Sequence, residues 1–154
     1  FIKIKNPGGI MSKGNIKKIL VIDGQGGKLG KQLIEAIKDR IEDVEITAIG
    51  TNGIATATML KGGADYAATG ENPVIVACRK ADIIIGPVGI VIADSLMGEI
   101  TPKMATAIGQ SNAVRILIPV NKCDNIIAGV PDLSMSALIT DTINKLTEFI
   151  SSDA

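Results

Sequence analysis

The sequence predicts a three-layer α/β sandwich built on a mostly parallel sheet. Two observations carry that prediction: short apolar runs of strand length, and amphipathic helical stretches that alternate with them across glycine turns. Ile19-Leu20-Val21-Ile22, stopped by Asp23-Gly24, reads as a first strand buried on both faces, as parallel sheets require. Leu29, Leu33, Ile34, Ile37 and Ile41 then recur at helical spacing, with Lys31, Glu35, Lys38 and Asp39 on the opposite face. Val44 to Ile49 alternates as a second strand, and Gly50-Thr51-Asn52-Gly53 turns the chain into a helix from Ile54 to Lys61. Gly62-Gly63 ends that helix. Asn72 as a cap and Pro73 at the first position predict a short helix over 73–80, although the β-branched Val74, Ile75 and Val76 suit a strand equally well. Asp82 to Ile85, before Gly86-Pro87-Val88-Gly89, is the third predicted strand. Thr101 and Pro102 then open a helix that buries Met104, Ala107 and Ile108. Val114 to Val120 is the fourth strand. Asn121 to Asp124 leaves room only for a tight connection to a fifth at Asn125 to Ala128, which would pair antiparallel at the edge. Met135, Leu138, Ile139, Thr142, Leu146, Phe149 and Ile150 stripe a last helix. The expected order is 2-1-3-4-5 with the fifth strand reversed.

Composition narrows the function. A chain of 154 residues with 46% apolar side chains is the size of one domain and can bury a core; residues 16–154 read as that domain. Residues 1–15, which hold Lys3, Lys5, Lys13 and Met11, read as an extension outside the fold. Sixteen basic and sixteen acidic residues cancel, so no overall field draws the chain to nucleic acid or an anionic membrane. With no histidine, Ser-His-Asp and Cys-His engines and histidine metal sites are excluded. No metal site is predicted. Cys78 and Cys123 lack CxxC spacing and a disulfide framework, which predicts a reduced, cytoplasmic protein, and no apolar run approaches the roughly 18 residues that span a bilayer.

Chemistry concentrates in one loop. Asp23-Gly24-Gln25-Gly26-Gly27-Lys28-Leu29-Gly30-Lys31 joins a buried strand to an amphipathic helix, the context in which backbone N–H groups of a first helical turn grip an anion. Counted from Gly24, the G-x-G-x-x-G pattern would place its third glycine at position 29, which is Leu29; Gly27 and Gly30 fit its second and third places only if Gln25 takes the first. A Walker loop fails as well. Five residues separate Gly24 from Gly30-Lys31, and Gln32 stands where a magnesium-binding hydroxyl is required. The competing reading is that the glycines only permit a tight turn and close helix–sheet packing.

The run Gly24-Gln25-Gly26-Gly27-Lys28-Leu29-Gly30-Lys31-Gln32-Leu33-Ile34 resembles the glycine loop of dihydrodipicolinate reductases and related dehydrogenases. That resemblance implies a Rossmann-like domain whose Gly26, Gly27, Lys28, Leu29 and Gly30 cradle the pyrophosphate of NAD(P)H. It covers only residues 19 to about 41. The chain departs from that family in lacking an acidic residue at the end of the second strand, where Gly50-Thr51-Asn52 stands, and in lacking the substrate domain with its histidine motif. Val21 to Gly27, Gly50-Thr51-Asn52, Ala68 to Asn72, Gly86 to Ile90 and Gly98 to Pro102 together resemble, over nearly the whole chain, the bacterial family catalogued as domain of unknown function thirty-eight forty-two. This second resemblance implies a Rossmann-like domain and no activity.

In an open α/β sheet, ligands sit beyond the carboxyl ends of the strands, which gathers Asp23 to Lys31, Thr51, Asn52 and Gly86-Pro87-Val88-Gly89 around one crevice. The expected ligand is NAD(P) or another nucleotide, or more broadly a small phosphorylated molecule. Asp94, Glu99 and Lys31 are the candidates to replace histidine if a reaction, such as a reduction, occurs there. Residues Gly89 to Met97 are very apolar for a ligand-side connection, so a flap over the ligand or a subunit interface is expected, and with it a homo-oligomer. The alternatives are a non-catalytic ligand sensor and a purely structural oligomer with an empty loop.

Overall fold

The computed structural model describes residues 16–120 and 124–153. The extension read over residues 1–15, and Asn121 and Cys123 after the fourth predicted strand, lie outside the described residues. In chain order the elements are β1 (Lys17–Asp23), α1 (Lys28–Arg40), β2 (Val44–Gly50), α2 (Gly53–Lys61), β3 (Tyr66–Thr69), α3 (Glu71–Cys78), β4 (Ile83–Pro87), α4 (Pro102–Gln110), β5 (Val114–Ile118) and α5 (Met135–Ser152), with a 3-10 turn at Val88–Val91. Every strand pairing is parallel, in the order β3-β2-β1-β4-β5.

The two central strands are buried on both faces, so successive side chains feed two separate cores. Ile19, Val21, Ile83 and Ile85 pack with Leu33, Ile34 and Ile37 of α1, Met59 of α2 and Leu138, Ile143 and Leu146 of α5. Leu20, Ile22 and Ile84 face the other way, onto Val74 and Cys78 of α3 and Met104, Ala105 and Ile108 of α4. This is the period-2 alternation of a strand read against the 3.6-residue period of the helices.

Two expectations about the sheet are corrected. The order differs from the expected one because Tyr66–Thr69, not read as a strand, extends the sheet beyond β2. Its residues are half-exposed or exposed and two of the four are alanine, so it lacks the buried β-branched run that announces a strand. The antiparallel strand expected at Asn125 to Ala128 does not form: residues 124–134 carry no regular structure, and Ile126 is exposed. The helix-or-strand ambiguity at Val74 to Val76 resolves as helix, two residues earlier than predicted, with Gly70 as cap and Pro73 inside the first turn.

Chain direction creates the crevice. From β1 the chain passes to α1 on one face of the sheet, and from β4 toward α4 on the other, so the connections leaving two adjacent strands diverge beyond their carboxyl ends.

Candidate active-site crevice

The glycine loop lies at that parting and divides into a structural half and an open half. Gly27 caps α1 in the left-handed region, φ 74°, and a methyl group there would lie 2.7 Å from the Ala55 backbone. Gly30 is equally committed, since a methyl group would meet the Met59 sulfur at 2.4 Å. These two glycines let α1 sit against α2, a packing role. Gly26 is different: nothing lies within 4 Å of the position a methyl group would take. Lys28 is exposed, while Leu29 turns into the core.

Asp23 organises the turn from below. Its Oδ1 accepts the Gly24 N–H at 2.8 Å and its Oδ2 accepts the Gly30 N–H at 2.8 Å, so this buried carboxylate closes the loop on itself. Burial pushes its pKa above the usual 3.8, the Glu99 charge adds to that rise, and the Gly30 and Gly24 amides oppose it. The Gly27 N–H goes to the Gly24 carbonyl at 3.0 Å. The amides of Gly26, Lys28 and Leu29 have no hydrogen-bond partner among the described residues.

The segment after β4 supplies the opposite wall. Asp94, Leu96, Met97 and Gly98 have φ values of 64°, 53°, 57° and 85°, a left-handed turn that costs the three non-glycine residues about 1–3 kcal/mol each. It is held by Asp94 N–H to the Ile100 carbonyl at 2.8 Å, by the Ser95 hydroxyl on the Gly89 carbonyl, and by Leu96, only 2% exposed in the second core. The turn delivers Glu99 to the loop. Glu99 Oε2 accepts the Gln25 N–H at 2.7 Å and Oε1 accepts Asn52 Nδ2 at 2.7 Å. Asn52 also donates to the Gln25 carbonyl at 3.0 Å and caps α2 by accepting the Ala55 N–H at 2.9 Å. Thr51 takes its place through its own N–H on the Asp23 carbonyl, 3.0 Å away.

Of the residues singled out in the sequence, Asp23, Gly24, Gln25, Thr51, Asn52 and Glu99 therefore meet at one point. Lys31 does not join them: it pairs with Glu35 at 3.6 Å and packs against Gly62 beyond α2. The exposed Asp94 contributes its backbone to the turn. Gly86 and Pro87 end β4, where a methyl group on Gly86 would lie 2.5 Å from the Ile22 carbonyl, so Gly86 serves strand packing; Val88 and Gly89 begin the 3-10 turn. The apolar stretch Gly89 to Met97 folds inward through Ile90 and Leu96, while Met97 at its tip stands 94% exposed. Sequence reasoning missed Leu96 as the anchor of Glu99 and the bond between Asn52 and Glu99. A long aliphatic beside Gly98, in a segment bounded by a strand and a capped helix, was the available signal for the first; the second has no sequence signature.

Residues 18–151 match the model of a family described as a domain of unknown function, DUF3842. No curated protein matches the chain. A solved structure described as a dodecameric FMN-dependent UbiX-like decarboxylase from Escherichia coli O157:H7 is similar over 85% of this chain and 94% of that one, at 14% identity and a TM-score of 0.43. A likeness that faint carries no argument about the site. No helix among the described residues is long and apolar enough to cross a membrane.

Proposed function

The chain belongs to the DUF3842 family, and from that premise we propose that it binds a nucleotide, or another phosphorylated small molecule, over the amino end of α1. The observation that carries this reading is the set of unpartnered amides of Gly26, Lys28 and Leu29, beside an unobstructed Gly26, where the strand connections diverge. The order β3-β2-β1-β4-β5 supports it, being that of the first five strands in Rossmann dinucleotide-binding sheets. NAD(P) is the leading candidate. A reductase reading is weaker, because β2 ends in Gly50-Thr51-Asn52 and not in a ribose-binding acid, and Asn52 already caps α2 and holds Glu99. Binding without turnover, as in a sensor that reports occupancy through a homo-oligomer, is the alternative. We infer a reducing compartment such as the cytoplasm, a reading that the free thiol of Cys78 supports.

Native mass spectrometry of freshly purified protein tests the proposal through the mass of a retained nucleotide. Gly26→Glu is the matching variant, since it adds a negative charge where space is open, whereas any side chain at Gly27 would strain the cap. Loss of NADPH and ADP binding with an unchanged unfolding midpoint is expected. Calorimetric silence of the wild type toward NADPH, ADP and pyrophosphate would remove the reading.

A further inference from the structure

The crevice holds a mismatch between donors and acceptors. Glu99 spends both carboxylate oxygens, Oε2 on the Gln25 N–H and Oε1 on Asn52 Nδ2, each at 2.7 Å. Beside it, Thr51 Oγ1 is a buried side-chain oxygen with no hydrogen-bond partner, and no other such atom occurs among the described residues. The two groups flank the same spot: a methyl group on Gly24 would lie 2.7 Å from Glu99 Oε2 and 2.7 Å from Thr51 Oγ1. Three donors thus converge where the Glu99 carboxylate, in the pose it takes, bonds two and leaves the Thr51 hydroxyl without a partner. A buried hydroxyl left unpaired is costly, and its presence points to a group that this arrangement is built to receive.

We propose that Glu99 is a displaceable stand-in for the ligand's anion, and that the group it stands in for is a tetrahedral oxyanion, a phosphate or phosphoanhydride, whose additional oxygen engages Thr51. The inference rests on the reading of the loop as an anion site and specifies which anion it prefers and what must move. A phosphoryl group in place of the Glu99 carboxylate receives the Gln25 N–H, Asn52 Nδ2 and the Thr51 hydroxyl together, close to the unpartnered Gly26 amide. Displacement requires only that the half-buried Glu99 side chain rotate out of its two hydrogen bonds, with the turn that carries it left in place. Thr51 then discriminates by geometry: a ligand carboxylate lying as Glu99 lies leaves the Thr51 hydroxyl unpaired, whereas a phosphate in the same place has a further oxygen out of that plane to receive it.

The test is calorimetric titration of the full chain with inorganic phosphate, pyrophosphate, acetate and ADP, comparing wild type with Glu99→Gln, Glu99→Ala and Thr51→Val. Removing the Glu99 charge is expected to raise phosphate and pyrophosphate affinity about tenfold, and Thr51→Val to lower it about tenfold while leaving acetate unchanged. Thr51→Val preserves shape, and Glu99→Gln retains an acceptor for the Gln25 N–H, so circular dichroism should show all variants folded. If ADP binds the wild type and neither Glu99 variant nor Thr51→Val alters it, the stand-in is wrong and the loop reading survives. If phosphate binds Glu99→Ala but no nucleotide binds the wild type, the stand-in holds and the nucleotide reading falls. Acetate binding Glu99→Ala as tightly as phosphate overturns the tetrahedral preference, and silence of every variant toward every anion overturns both.

Discussion

Asp23 pays for the loop's closure with its own acidity. Its carboxyl accepts two backbone amides, yet burial outweighs them and its pKa rises above 3.8 in the folded protein. A raised folded value means that the folded state holds the proton more tightly than the unfolded chain does. The stability this group contributes is therefore fully present below the unfolded value and is lost as pH rises through the folded one. Asp23→Asn removes that pH dependence and leaves one loop amide facing an N–H donor, so its cost, about 1–3 kcal/mol, should be larger at pH 4 than at pH 7. Urea unfolding at the two pH values measures this; an equal cost at both would show that Asp23 does not titrate abnormally. Cys78, 4% exposed, follows the same rule with a different outcome. Burial pushes its thiol up to about 11, so native protein at pH 8 should resist iodoacetamide at this site and react once unfolded.

At the level of elements, what the sequence shows depends on whether a segment's role is local. The strands at Ile19 to Ile22 and Ile83 to Ile85 are legible because double burial demands an unbroken aliphatic run, and α1 because its apolar stripe repeats at helical spacing. The start of α4 is legible through chemistry: Thr101 accepts the Met104 N–H at 3.1 Å with Pro102 at the first position. Thr101→Ala should cost about 1 kcal/mol in chemical denaturation, and a neutral result would mean that water replaces the cap. β3 is illegible because Tyr66-Ala67-Ala68-Thr69 is strand only by virtue of pairing with β2, a long-range gain that local propensity does not encode. The antiparallel edge strand that does not form is the reverse case. Residues Asn125 to Ala128 have suitable side chains but no buried face to reward the pairing, since Asn125 and Ile126 both stay exposed.

For the whole molecule, the switch point explains why the crevice could be located from sequence while its wiring could not. Alternating strands and helices imply where the connections diverge, so the sequence alone groups Asp23 to Gly30 with Thr51-Asn52. The bond from Glu99 to Gln25 crosses 74 positions and depends on a left-handed turn whose only local mark is Gly98. That turn is fastened to the second core by Leu96, whereas Leu146 of α5 fills the first core, on the other face of the sheet. Stability and site geometry should therefore separate by face. Leu96→Ala and Leu146→Ala each delete one buried leucine and should each cost about 2–5 kcal/mol, measured where both variants remain folded. Only Leu96→Ala should also change pyrophosphate affinity, raising it as Glu99 loses its anchor. If both variants shift affinity equally, the crevice responds to global stability and not to the turn; if neither does, Leu96 does not hold Glu99 in place.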